Sequence, residues 1–150
     1  MTPEFAVSDV VPHSGQMSLL DRICDWGEDW MSAEIDIRES SLFAEDEGIP
    51  AYISLEYMAQ AIAAHSGLRE RLRGGAPKLG FLLGTRKLDL PVTHFKYGTT
   101  LKVTVRCEFE ADNGLGAFLC TLEAPGVAIS ATLNVFQPED PQAYLQEQNP

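Results

Sequence analysis

The chain has 150 residues, of which 45% are hydrophobic, 9% aromatic and 22% charged. This is enough apolar chain for one globular domain, which at this length buries roughly 70% of the surface of its unfolded state, and it excludes a disordered chain. Eleven basic against 22 acidic residues leave a net charge of −11, which excludes a general nucleic-acid binder because such a protein needs a basic footprint.

The first predicted element is a strand from Ser18 to Trp26. The turn Gly27-Glu28-Asp29 leads to a second strand near Trp30 to Ile37. Residues 39–49 are polar and acidic and read as a loop. A long helix follows, with Pro50 in its first turn, where a missing N–H costs nothing. The run AYISLEYMAQAIAAHSGLRERLR has no internal proline, and its first fifteen residues are nearly all apolar or small. Most of that helix should therefore be buried. Arg69, Arg71 and Arg73 suit its negative dipole end, and Gly74-Gly75 is a plausible stop. Four strands are then expected: Leu79–Leu90, Thr99–Glu110, Leu115–Glu123 and Val127–Phe136. The second alternates, with Leu101, Val103, Val105, Cys107 and Phe109 on one side. Asp112-Asn113-Gly114 signals a hairpin and Pro125-Gly126 another turn. The last strand places Val127, Ile129, Ala131, Leu133 and Val135 on one face. Residues 137–150 form a polar tail, expected to be mobile.

Two strands, one long buried helix and four strands outline an α+β domain. A curved antiparallel sheet wrapped around a central helix buries the helix and leaves the sheet's other face for solvent or a partner. This is the hot-dog fold, here a single domain over residues 1–150 with its core at about 10–136.

No apolar run reaches ~18 residues, so membrane insertion is not expected. MTPEFAVSD lacks the pattern of a secretory signal. Cys24, Cys107 and Cys120 are widely spaced with no CxxC pair, and they fit small core residues in a reduced, cytoplasmic setting. No metal-ligand motif, phosphate loop or nucleophilic triad is recognisable, so no metal or cofactor is expected. Nine basic residues fall between positions 69 and 106 against Glu70 and Asp89, a local charge of +7 in a remainder of −18. Such a segment is either a set of solvated faces or a patch that steers an acidic partner such as an acyl carrier protein.

Glu56 is the most informative residue. It stands among Ile53, Leu55, Tyr57 and Met58, where an unpaired buried carboxylate would cost several kcal/mol. It is read either as an orienting buried carboxyl or as a general acid made by desolvation, with the Gln60 amide one turn on as its partner. His65, nine residues further, should face nearly the opposite way. His94 lies in the irregular PVTHFKYG and reads as an exposed loop residue. His13 follows Pro12 in a loop.

Two stretches resemble bacterial 3-hydroxyacyl-acyl-carrier-protein dehydratases of the FabZ type. Val11 to Arg22 is similar to the family's Pro-His…Leu-Leu-x-Asp-Arg opening, with the same spacing from His13 to Asp21. Pro50-Ala51-x4-Glu56-Tyr57-Met58-Ala59-Gln60 is similar to its Pro-Gly-x4-Glu-Ala-Met-Ala-Gln helix start. The phrasing after Glu56, with Gly80 to Arg86, looks most like the ApeP-like branch linked to aryl polyene pigments. The resemblance covers residues 10–136. It implies dehydration of a 3-hydroxyacyl thioester and a dimer whose interface pairs a histidine of one subunit with the helix glutamate of the other; if the +7 segment recruits an acidic carrier protein, Arg69, Arg71 and Arg73 are the expected docking residues. It also implies that backbone N–H groups at the helix start, from Ala51 onward beside Pro50, polarise the thioester carbonyl.

The pattern breaks at one place. Counting back from Pro50, the family's His-Phe pair falls on Leu42-Phe43. Three readings follow. The chain contributes Glu56 to a mixed dimer whose histidine comes from a homologue; or it acts alone, as a homodimer using His13; or it binds acyl thioesters without turnover. A hot-dog thioesterase is the competing enzyme class.

Overall fold

In the computed structural model, residues 6–7, 18–74, 80–86 and 88–138 are described. Six antiparallel strands form one sheet in the order β1-β2-β6-β7-β8-β4: β1 Arg22–Trp26, β2 Trp30–Asp36, β4 Phe81–Arg86, β6 Thr100–Glu110, β7 Leu115–Ala124 and β8 Val127–Phe136. A short pair, β3 Ile49–Pro50 with β5 His94–Phe95, stands apart. A 3-10 turn at Ala51–Ile53 runs into the helix α1, Ser54–Leu72.

Strand alternation decides what the sheet turns toward α1. Met31, Ala33 and Ile35 of β2, Leu101, Val103 and Val105 of β6, and Ile129, Ala131 and Leu133 of β8 are all buried. Tyr57, Met58, Ala61, Ala64 and Leu68 of α1 meet them. Each fully buried Leu, Ile, Val or Met contributes roughly 1.5–3 kcal/mol, so this inner layer carries the fold.

Four departures from the expected pattern have local causes. The register of β6 on β7 shifts between Cys107 and Phe109, and this irregularity leaves Phe109 58% exposed rather than inward. Pro50 precedes the helix as a strand residue paired with His94. His94 is therefore half-buried on β5 instead of exposed in a loop. Cys24 is exposed on β1, Cys107 is intermediate and only Cys120 is buried; burial pushes the Cys120 thiol up to about 12.

The Asp21-Arg22 pair of the opening motif ties β1 to β2. Arg22 donates to Glu34 at 2.6 Å and to Asp36 at 2.8 Å, Arg38 reaches Asp36 at 3.0 Å, and Asp21 accepts the Asp36 N–H at 2.6 Å. The Arg22 guanidinium holds the Asp36 carboxyl well below the usual range.

Candidate active site

An open cavity of about 210 Å³ runs along α1 between the helix and the β7–β8–β4 side of the sheet. Its helix wall includes Glu56, Ala59, Gln60, Ala63, Ser66 and Arg69, and its sheet wall includes Leu82, Phe118 and Val135. From Glu56 to Arg69 is thirteen residues, or about 20 Å of helix at 1.5 Å per residue. The walls are mainly apolar between those two charged ends.

Glu56 is exposed at this cavity, not buried in the core. The sequence is apolar all round the helix, but one sheet covers only one side of it. Positions 57, 58, 61, 64, 65 and 68 take that side, and Glu56 falls off it. Gln60 is buried, but its Oε1 accepts the Leu19 N–H at 2.8 Å. The amide oxygen thus ties α1 to the segment before β1 rather than serving the glutamate.

His65 is 1% exposed and packs edge-on against Phe118, with ring centroids 6.4 Å apart. Its Nε2 lies 3.0 Å from the Glu28 carbonyl. A carbonyl only accepts, so Nε2 carries the proton; Nδ1 is buried without a hydrogen-bond partner. Burial lowers the pKa of this ring and keeps it neutral.

The remaining expected residues are dispersed. Leu42 is 48% exposed and Phe43 packs against the core, and neither lines the Glu56 cavity. Pro50 and Ala51 are buried. The Ala51 N–H donates to Thr93 O at 2.8 Å, so it is not a donor to a thioester in this arrangement. Arg69 turns to the cavity's far end and pairs with Glu110 at 2.9 Å; Arg71 and Arg73 are exposed, and Arg73 lies 3.7 Å from Glu70. His13 and residues 139–150 lie outside the described residues.

The wall between β6 and β7 was legible only as a hairpin. Gly114 has φ +95°, and a Cβ there would come within 2.4 Å of Gln137 O. Asn113 Oδ1 accepts the Leu115 N–H at 3.2 Å and closes the turn.

An antiparallel sheet wrapped on one central helix defines a hot-dog protein, here with a glutamate facing an apolar cavity along that helix. The chain matches the dehydratase heterocomplex ApeI:P from Xenorhabdus doucetiae with a TM-score of 0.89 and 24% identity, over 99% of this chain and 100% of that one. It matches a hypothetical thioesterase from Streptococcus pneumoniae, solved with coenzyme A, with a TM-score of 0.60 and 11% identity, over 77% and 84%. The PaaI protein of the Escherichia coli phenylacetic acid degradation operon gives 0.56 and 11%, over 77% and 80%. Among curated protein sequences none matches significantly. The family model of ApeP-like dehydratases matches residues 5–146. The chain belongs to that family of dehydratases.

Proposed function

We propose that this protein dehydrates 3-hydroxyacyl-acyl-carrier-protein thioesters to trans-2-enoyl thioesters, and that it supplies the carboxyl half of an active site completed by a histidine of a homologous hot-dog subunit. One observation carries this reading. Glu56 stands at an open, apolar cavity whose only described histidine, His65, has Nε2 committed to the Glu28 carbonyl and Nδ1 buried. Further support comes from Ala59 and Ala63 of α1, small and only half-buried, and from Tyr52, 62% exposed in the 3-10 turn before it, a stretch too apolar for an outer surface. A second subunit would cover them. The solved relative is itself a heterocomplex.

In this mechanism the partner's imidazole takes the proton from the α-carbon. The C–H electron pair becomes the C2–C3 double bond. The Glu56 carboxyl gives its proton to the β-hydroxyl, which leaves as water. The second reading, a self-sufficient homodimer using His13, needs no partner. A carrier protein would deliver the substrate; the exposed Arg71 and Arg73 are the residues of the predicted docking trio suited to meet its acidic surface.

The test is turnover of a short 3-hydroxyacyl-carrier-protein thioester, followed by the absorbance of the conjugated enoyl product. The purified chain alone should be inactive, and activity should appear with a histidine-bearing hot-dog homologue. Glu56→Gln should then lower kcat by roughly 10²–10⁴-fold with little change in KM. Activity of the chain alone, lost in His13→Ala, would establish the second reading. Release of free thiol without enoyl product would mark a thioesterase.

A further inference from the structure

Away from the cavity, three ligand-bearing side chains converge where the acidic turn meets β5. Glu45, Glu47 and His94 each place a ligand atom within 4.8 Å of the other two. His94 Nε2 lies 2.8 Å from Glu45 Oε1 and 3.4 Å from Glu47 Oε2. In a tetrahedral shell with metal–ligand bonds of about 2.0–2.1 Å, donor atoms stand roughly 3.4 Å apart. The observed spacings differ from that by amounts that a carboxylate rotamer can absorb.

The backbone holds these positions before any ion binds. His94 pairs with Pro50 and Phe95 with Ile49. The Glu45 N–H donates to Gly48 O at 2.9 Å, and the Tyr97 hydroxyl donates to Glu45 O. Gly48, at φ +138°, lets the turn approach so closely that a Cβ would sit 2.1 Å from Phe95 O. The His94 side chain is only 18% exposed, and its Nδ1 lies 3.1 Å from Thr93 Oγ1. That hydroxyl can accept an Nδ1–H, which leaves the Nε2 lone pair for a metal.

Charge points the same way. Among the described residues no arginine or lysine pairs with Glu45 or Glu47; their ion-pair partner is His94. Two carboxylates without an arginine or lysine partner among the described residues suit one divalent cation.

We propose that Glu45, Glu47 and His94 form a binding site for a divalent cation of the zinc type. One imidazole and two carboxylates, with water as a fourth ligand, are a donor set for Zn²⁺; Mg²⁺ and Ca²⁺ favour oxygen alone. Glu56 is not part of this cluster, so the ion is structural. It clamps the 45–48 turn to β5, beside Pro50, where the chain enters the helix.

Calorimetric titration of the EDTA-treated, dialysed full chain with ZnCl2 tests this, in a Cys24→Ser background that removes the exposed thiol. One Zn²⁺ per chain is expected, and the thermal midpoint should rise with Zn²⁺. His94→Ala and Glu45→Gln should each weaken binding by about 10-fold or more. Glu47→Gln, at a side chain 76% exposed, leaves the fold intact and should weaken it too. No stoichiometric binding, binding undiminished by His94→Ala and by Glu47→Gln, or equal affinity for Mg²⁺ would each overturn the proposal.

Discussion

His65 shows what a single buried side chain costs and what it reports. Its ring is enclosed by α1, Phe118 and the Glu28 turn, with Arg69 and Glu110 as the nearby charges. Burial is the main cause of its lowered pKa, and the positive Arg69 adds to it. The unfolded chain takes up a proton near pH 6.5, while the folded ring resists it. Stability is therefore fully present above about pH 6.5 and is lost as pH falls from there toward the depressed folded value. The slope due to this residue is at most about 1.4 kcal/mol per pH unit. Urea unfolding at pH 7.5 and pH 5.5 should show it, and the difference should shrink in His65→Gln. An unchanged difference would assign the titration elsewhere. Gln60 and Glu56 make a complementary pair: the neutral amide is buried with its oxygen on Leu19 N–H, and the carboxylate remains where water or a ligand can reach it.

At the scale of elements, α1 and the β7–β8–β4 side of the sheet define the cavity, with the β6–β7 turn at one end. The helix was legible because its apolar run has no breaker, and its observed bounds, Ser54–Leu72 after a turn at Ala51–Ile53, lie within a few residues of the expected ones. The hairpin was legible from Asp112-Asn113-Gly114. Its tightness was not, because the approach to Gln137 is made across the sheet. Gly114→Ala should destabilise the protein by about 1–3 kcal/mol, from positive φ and backbone contact together. The thermal midpoint gives the check; an unshifted midpoint would mean that the turn relaxes freely. The short pairing of β3 with β5 left no sequence signal, since two-residue strands carry no periodicity.

For the whole molecule, the +7 segment of the sequence does not become one positive surface. Folding sends Arg69 to Glu110, sets Lys102 between Glu34 and Glu123 in register, and brings Arg106 to 3.8 Å from Asp29. The proposed carrier docking is therefore narrowed to the exposed Arg71 and Arg73 at the end of α1, with Arg73 3.7 Å from Glu70. Arg71→Glu with Arg73→Glu should weaken carrier binding at low salt and flatten its salt dependence, whereas Arg69→Ala should mainly disturb the cavity's far end. Unchanged binding at low salt in the double variant would place docking elsewhere.

By itself the sequence determined the long helix, the six main strands and the family. Strand alternation and the unbroken helix are local features that propensity and hydrophobic period are enough to read, and the two motifs around Asp21 and Glu56 were legible by resemblance to a known family. Only the tertiary structure decided which side of α1 is covered. A sheet packs on one face, so an all-round apolar helix leaves Glu56 exposed at a cavity and buries Gln60 and His65 instead. It also decided that Glu45, Glu47 and His94 meet, because 47 residues separate Glu47 from His94 and strand pairing alone brings them together. Long-range contacts of this kind have no period to betray them.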